Sequence, residues 1–205
     1  VIANGCRFMK EEVEHMSMKL AILGLLMEQD RHPYEMSQAM KEREMHNYMK
    51  IQYGSLYYAI DQLNKGEFIE KAEFVSGGSR PDKTIYRITE KGKRELEELL
   101  IEEMKKLPHL NHPFYAALSF VKYADQAIVM EIIQNRISYY EQEAERMWAL
   151  YEEHISYAPR SVLHMLYGGY KYTVTELNWL KSLHEDALAG KLGSKGEPLP
   201  VQKLH

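Results

Sequence analysis

A chain of 205 residues with 26 Lys and Arg against 30 Asp and Glu has room for one or two domains and no basic surplus for wholesale nucleic-acid binding. Its 45% apolar share excludes a wholly disordered chain, and its single cysteine, Cys6, excludes an intrachain disulfide and fits a cytoplasmic setting. The longest apolar run, Leu20 to Met27, is far short of a membrane span, and the N-terminus carries no secretory pattern. Met9 makes a natural first residue, so residues 1–8 stay out of the fold reading.

In chain order, Ser17 is a suitable N-cap for a first helix whose apolar stripe runs through Leu20, Leu23, Leu25, Leu26 and Met27. Gly24 sits inside that helix, where it would allow another helix to approach closely. His32-Pro33 breaks the chain, and Pro33 suits the first turn of a second, shorter helix through Tyr34, Met36, Ala39 and Met40. A third helix is expected from about Tyr53 to Lys65. It turns Leu56, Ala59, Ile60 and Leu63 one way and Ser55, Tyr58, Gln62 and Lys65 the other, and Gly66 stands where a left-handed cap is common.

The period then changes. Phe68 to Val75 and Thr84 to Thr89 are rich in β-formers and flank Ser76-Gly77-Gly78-Ser79-Arg80-Pro81-Asp82, which together read as a hairpin with a long tip. Thr89 caps a helix from Glu90 to about Lys106, bracketed off by Pro108 and Pro113. One short helix is expected from Phe114 to Tyr123. Val129, Ile133, Ile137, Tyr140, Ala144, Met147, Tyr151 and Ile155 then mark a long amphipathic helix. Pro159 interrupts, and Leu163, Leu166, Tyr170, Val174, Leu177 and Leu180 mark a second. Such a hairpin has too little core of its own, which predicts a homodimer formed by this half.

The fold class expected is mainly α with a small β-hairpin: an N-terminal winged helix-turn-helix over 16–107 and a C-terminal antiparallel helical dimerisation and effector domain over 108–190. Residues 1–15 and 191–205 are expected to be flexible tails. Three helices followed by a hairpin is the winged-helix order, in which the third helix enters the major groove and the wing touches flanking phosphates. Residues 17–92 hold eleven basic and eleven acidic side chains, so DNA contact needs a local cluster. Lys83, Arg87, Lys91, Lys93 and Arg94, facing only Asp82 and Glu90, provide one.

Lys19 to Leu26 (KLAILGLL), Pro33-Tyr34-Glu35-Met36, Gly54-Ser55-Leu56-Tyr57 with Leu63 and Gly66, and Arg80, Tyr86-Arg87-Ile88-Thr89 and Gly92 together resemble the PadR family of bacterial regulators. The C-terminal half, ending in Glu176-Leu177-Asn178-Trp179-Leu180, is similar to the larger PadR subgroup, so the resemblance spans almost all of residues 16–190. The chain departs from the family pattern at Tyr53, where proline is frequent, and at Tyr58-Ala59, where a basic residue or proline is frequent. The resemblance implies a homodimeric repressor of a palindromic operator that responds to phenolic acids, antibiotics or other planar drugs. Genes under such control often encode a detoxifying enzyme or an efflux pump.

Gln52, Tyr53, Ser55, Tyr58 and Gln62 carry groups suited to base edges or phosphates, and Lys19, Lys50, Lys65, Arg80 and Lys83 suit phosphates. Each alone reads equally well as part of a solvated face, and Tyr57 reads as either packing or a phosphate contact. Phe114, Tyr115, Tyr123, Trp148, Tyr151 and Trp179 are candidates to line an effector slot, although an aromatic stripe at helical spacing is more often core. Arg136, Lys122, His112, His154 or a tyrosine hydroxyl would supply the polar partner for an acid effector. His15 and His109 have no assigned role. Neither metal ligands nor cofactor motifs stand out: the His109 and His112 pair reads as a solvated loop, and no nucleophile elbow or phosphate loop supports an enzyme. The competing reading is a winged helix that binds protein.

Overall fold

The computed structural model describes residues 18–49, 51–75, 83–107 and 112–199. The chain forms two compact units, Val1–Pro108 and His109–His205. Among the described residues no helix is long and apolar enough to cross a membrane.

In the first unit, helix α1 (residues 18–28) buries Met18, Ala21, Ile22, Leu23, Leu25 and Leu26. The Ser17 cap lies outside the described residues. Gly24 does not mark a close approach, because a β-carbon there would meet nothing within 4 Å. Helix α2 (Pro33–Glu42) starts as its sequence dictates. The His32 Nδ1 accepts from the Tyr34 N–H at 3.1 Å, the Glu35 carboxylate accepts from the His32 N–H at 3.0 Å, and Pro33 takes the first helical position. Glu28 at the end of α1 holds the end of α2, accepting from Arg43 Nη1 and Nη2 at 2.6 Å each and from Arg31 at 3.2 Å.

Helix α3 (Leu56–Lys65) is preceded by a 3-10 turn, Tyr53–Ser55, so the α-helix begins three residues later than the sequence pattern suggests. Gly66 is not left-handed: its φ is −77°, and the positive φ, 60°, falls on Glu67 instead. Gly66 is required for space, because a β-carbon there would lie 2.6 Å from the Phe68 ring. Strands β1 (Ile69–Val75) and β2 (Lys83–Ile88) pair antiparallel from Ile69 opposite Ile88 to Val75 opposite Lys83, with an irregularity between Lys71 and Glu73.

Two links attach this hairpin to the helices. Arg31 and Tyr86 exchange backbone hydrogen bonds at 3.1 and 3.0 Å, and the Arg87 Nε donates to the Asp30 carboxylate at 2.9 Å. Helix α4 (Glu90–Lys105) is capped by Thr89, whose Oγ1 accepts from the Gly92 N–H at 3.0 Å. Among the described residues, seventeen buried apolar side chains from α1 to α4 and both strands make one core.

In the second unit, the segment expected as one helix is divided. Helix α5 (Pro113–Leu118) stops at a turn where the Ser119 hydroxyl donates to the Tyr115 carbonyl, and a separate 3-10 turn follows at Val121–Tyr123. Helices α6 (Gln126–His154) and α7 (Arg160–Leu188) have 29 residues each and form the predicted hairpin. Asp125 caps α6. Their shared core holds Ile133, Ile137, Leu177, Leu180 and Ala187, with Phe114, Met130, Tyr140 and Trp179 packed on it. That is five buried residues against seventeen, so much apolar surface stays outside, including Ile128, Trp148, Ile155, Met165 and Tyr167. The fold is mainly α with a two-stranded hairpin, a winged helix followed by a helical extension.

Candidate nucleic-acid interface and effector site

The outward face of the first unit is set by the period of α3. Leu56, Ala59, Ile60 and Leu63 are buried, which turns Tyr57 and Tyr58 to solvent at 64% and 60% exposure. Tyr57 is therefore not a packing residue. Gln52 is exposed beside them, and Gln62 and Ser55 are half-buried. No side chain caps α3: the Ser55 hydroxyl donates to the Gln52 carbonyl at 2.9 Å. The 3-10 turn already engages the Leu56 N–H, which donates to the Tyr53 carbonyl, and the positive dipole end of the helix is a natural place for a phosphate.

Other expected contacts are engaged within the fold. Lys65 is exposed but lies 2.6 Å from Asp61 one turn earlier on α3, and that carboxylate holds its ammonium above the ordinary lysine range. Lys19 faces Glu95 on α4 at 3.4 Å and sits over the Phe68 ring. Tyr53 packs on the core under the Lys41 ammonium, and its buried hydroxyl has no partner among the described residues. Lys50 and Arg80 lie outside the described residues, and Lys83 is placed as the first residue of β2. Between α3 and the wing is a polar cleft of about 250 Å3, with Tyr57, Asp61 and Asn64 on one wall and Lys71, Thr84 and Tyr86 on the other. Burial, and then the Asp61 charge, push the Tyr86 phenol above its usual range.

The second unit divides the expected effector residues into groups. Phe114 and Tyr115 on α5 both meet the Trp179 indole of α7 edge-on, at 6.0 and 5.1 Å between ring centres. The Arg136 guanidinium of α6 covers the Phe114 ring at 4.3 Å and approaches Tyr140 at 5.8 Å. Trp148 and Tyr151 join Tyr170 and Tyr167 in a separate aromatic cluster. Tyr123 belongs to neither, being 77% exposed with Lys122 over its ring. His154 is tied to its own helix, Nδ1 lying 2.8 Å from the Leu150 carbonyl, and His112 caps α5 by accepting from the Phe114 N–H.

The first group contains a residue that the sequence reading treated only as part of a family motif. Glu176 is 7% exposed, takes a hydrogen bond from the Tyr115 hydroxyl at 3.4 Å, and lies 3.8 Å from Arg136 Nη2. Tyr140, read only as a stripe residue, stands beside it. Burial raises the Tyr115 and Tyr140 phenols above their usual range, and the Glu176 charge raises them further. The signal for Glu176 was its spacing. Thr173, Glu176, Leu177 and Leu180 fall at i, i+3, i+4 and i+7, the buried stripe of α7.

A family model described as Transcriptional regulator PadR-like family matches residues 22–98. An uncharacterized protein of Lysinibacillus sphaericus is 39% identical over 90 residues, covering 42% of this chain and 79% of that protein. The fold is similar to Bacillus subtilis PadR in complex with operator DNA, with a TM-score of 0.70 at 20% identity over 82% of this chain and 98% of that one. It is also similar to Bacillus subtilis PadR in complex with p-coumaric acid, with a TM-score of 0.68 at 20% identity over 83% and 98%. The chain belongs to the PadR-like family of transcriptional regulators.

Proposed function

We propose that the protein is a homodimeric repressor that binds a palindromic operator through α3 and the wing and releases it when a small planar aromatic compound binds in the second unit. The outward display of Tyr57 and Tyr58 beside an uncapped helix start carries the DNA reading. Base-edge contact falls to Tyr57, Tyr58, Gln52 and Gln62, and phosphate contact to the α3 amides and the cations Lys50, Lys65, Arg80 and Lys83. The effector reading takes Phe114, Tyr115, Arg136 and Trp179 as its site, because these are the expected residues that converge on a polar group. The Bacillus subtilis relative bound to p-coumaric acid supports an aromatic ligand for this fold. The residues above carry no assembled nucleophile or cofactor cradle, and the protein is read as a regulator, not an enzyme.

Release has an energetic requirement. An effector weakens operator binding only by preferring the DNA-incompetent state, and a hundredfold release needs a preference of about 2.8 kcal/mol. The test is fluorescence anisotropy of the purified full chain with its own promoter DNA across a salt series. Repressor binding gives an affinity that falls log-linearly with salt, with a slope of about −0.9 per phosphate contact. An absence of binding at low salt would sink the proposal.

A further inference from the structure

Effector chemistry can be read from the polar atoms between α6 and α7. The Glu176 Oε1 is buried and accepts no hydrogen bond from any of the described residues, its nearest guanidinium nitrogen being 3.8 Å away. The Arg136 Nε is also buried and donates to no group among the described residues. Buried polar atoms nearly always find partners, so two such atoms in one cluster define what would satisfy them. The complement is a group that accepts from Arg136 and donates to Glu176. A carboxylate can do the first and not the second.

Charge leads to the same choice. The guanidinium is already balanced by Glu176 and faces the rings of Phe114 and Tyr140. A ligand carboxylate would therefore add a second anion beside a buried one, where water screens the repulsion less than at a fully exposed site. Burial raises the Tyr115 and Tyr140 phenols above their usual range, and the Glu176 charge adds to the rise. An open groove of about 340 Å3 lined by Ile132, Asn135, Arg136, Tyr139 and Tyr140 lies alongside, within the size range of small-ligand sites.

We infer that the Arg136–Glu176 site takes an uncharged planar aromatic whose edge both donates and accepts hydrogen bonds, an amide or phenol and not a carboxylate. The inference rests on this cluster being the effector site, and it narrows the ligand class.

Cinnamamide and cinnamate share one planar frame and differ in charge and in the donor. Calorimetric titration of the full chain should show the amide binding about tenfold or more tightly, the loss expected when one buried hydrogen bond is replaced by like-charge contact. Glu176→Gln removes the charge and supplies a donor, so cinnamate should gain and the gap should close to about threefold or less. Circular dichroism checks that this variant folds; if it does not, the wild-type order decides alone. Equal or tighter binding of cinnamate by the wild-type protein overturns the inference, as does an amide preference untouched by Glu176→Gln or an absence of binding by both compounds. Operator release, followed in parallel, separates the two readings. Amide binding without release keeps the site and defeats its effector role, whereas release by cinnamate alone defeats the inference and keeps an effector.

Discussion

The α-carbon of Gly92, in the first turn of α4, lies so close to Phe68 that a β-carbon there would overlap the Phe68 carbonyl oxygen. That carbonyl already accepts from the Thr89 N–H at 3.0 Å and from the Thr89 hydroxyl at 3.1 Å, so it cannot retreat without breaking the start of the helix. Gly92→Ala must move backbone. The expected cost is about 2 kcal/mol or more, read from a lower urea midpoint with an unchanged m-value. A variant as stable as the wild type would show that α4 and β1 are free to separate.

The family motifs were legible where they report local backbone requirements. Gly92 is such a case, and so is the change from helical to alternating period at Phe68. Pro33 and Thr89 stand at helix starts because of what their own covalent structures permit, and a sequence shows that directly. Gly66 was misread because glycine serves two purposes, left-handed backbone and space, and only the position of the Phe68 ring says which. Glu176 was missed for a related reason. A carboxylate on an amphipathic helix reads as solvated face until Arg136 and Tyr115, 40 and 61 residues away, are seen to surround it. The separation of Trp148 and Tyr151 from Trp179 also depends on the pairing of α6 with α7, which periodicity does not register.

Glu28 ties the ends of α1 and α2, and hydrogen bonds from Arg43 hold its carboxyl below the usual range, with the charges of Arg43 and Arg31 adding to the effect. A carboxyl with a depressed folded pKa contributes stability that is present above its unfolded value of 4.5 and is lost as pH falls through the lower folded value. Glu28→Gln should therefore reduce stability at neutral pH and flatten the acid limb below about pH 4.5. The side chain is 44% exposed, so solvent screening keeps the effect within about 1 kcal/mol. Thermal unfolding across the acid range checks both the sign and the window.

On α3, Tyr58 and Gln62 point away from the core residues Ala59 and Leu63. Tyr58→Ala and Gln62→Ala should leave unfolding within about 0.5 kcal/mol of the wild type. Each should weaken operator binding by about 1 to 3 kcal/mol and relax preference at a base position. Lys65→Ala should behave differently, weakening all DNA sequences alike and lowering the salt slope by about one. Tyrosine and glutamine variants that lose affinity uniformly for every sequence would assign these side chains to phosphate instead.

The second unit leaves a broad apolar surface on its hairpin. Trp148 and Ile155 near the end of α6, and Met165 and Tyr167 near the start of α7, are between 39% and 53% exposed. Covering such side chains with the same surface of a second chain would give the hairpin a core that the five buried residues among those described do not. Met165→Asp places a charge among these exposed apolar side chains without touching the buried stripe at Leu177 and Leu180. The expected result is a shift from dimer to monomer in sedimentation at micromolar concentration. A palindromic site gains from two linked half-sites, so operator affinity should fall together with the dimer. A half-site DNA duplex should be bound equally by variant and wild type, because α3 and the wing belong to the other unit. If Met165→Asp remains a dimer, the partner chain is seated on a different face of α6 and α7.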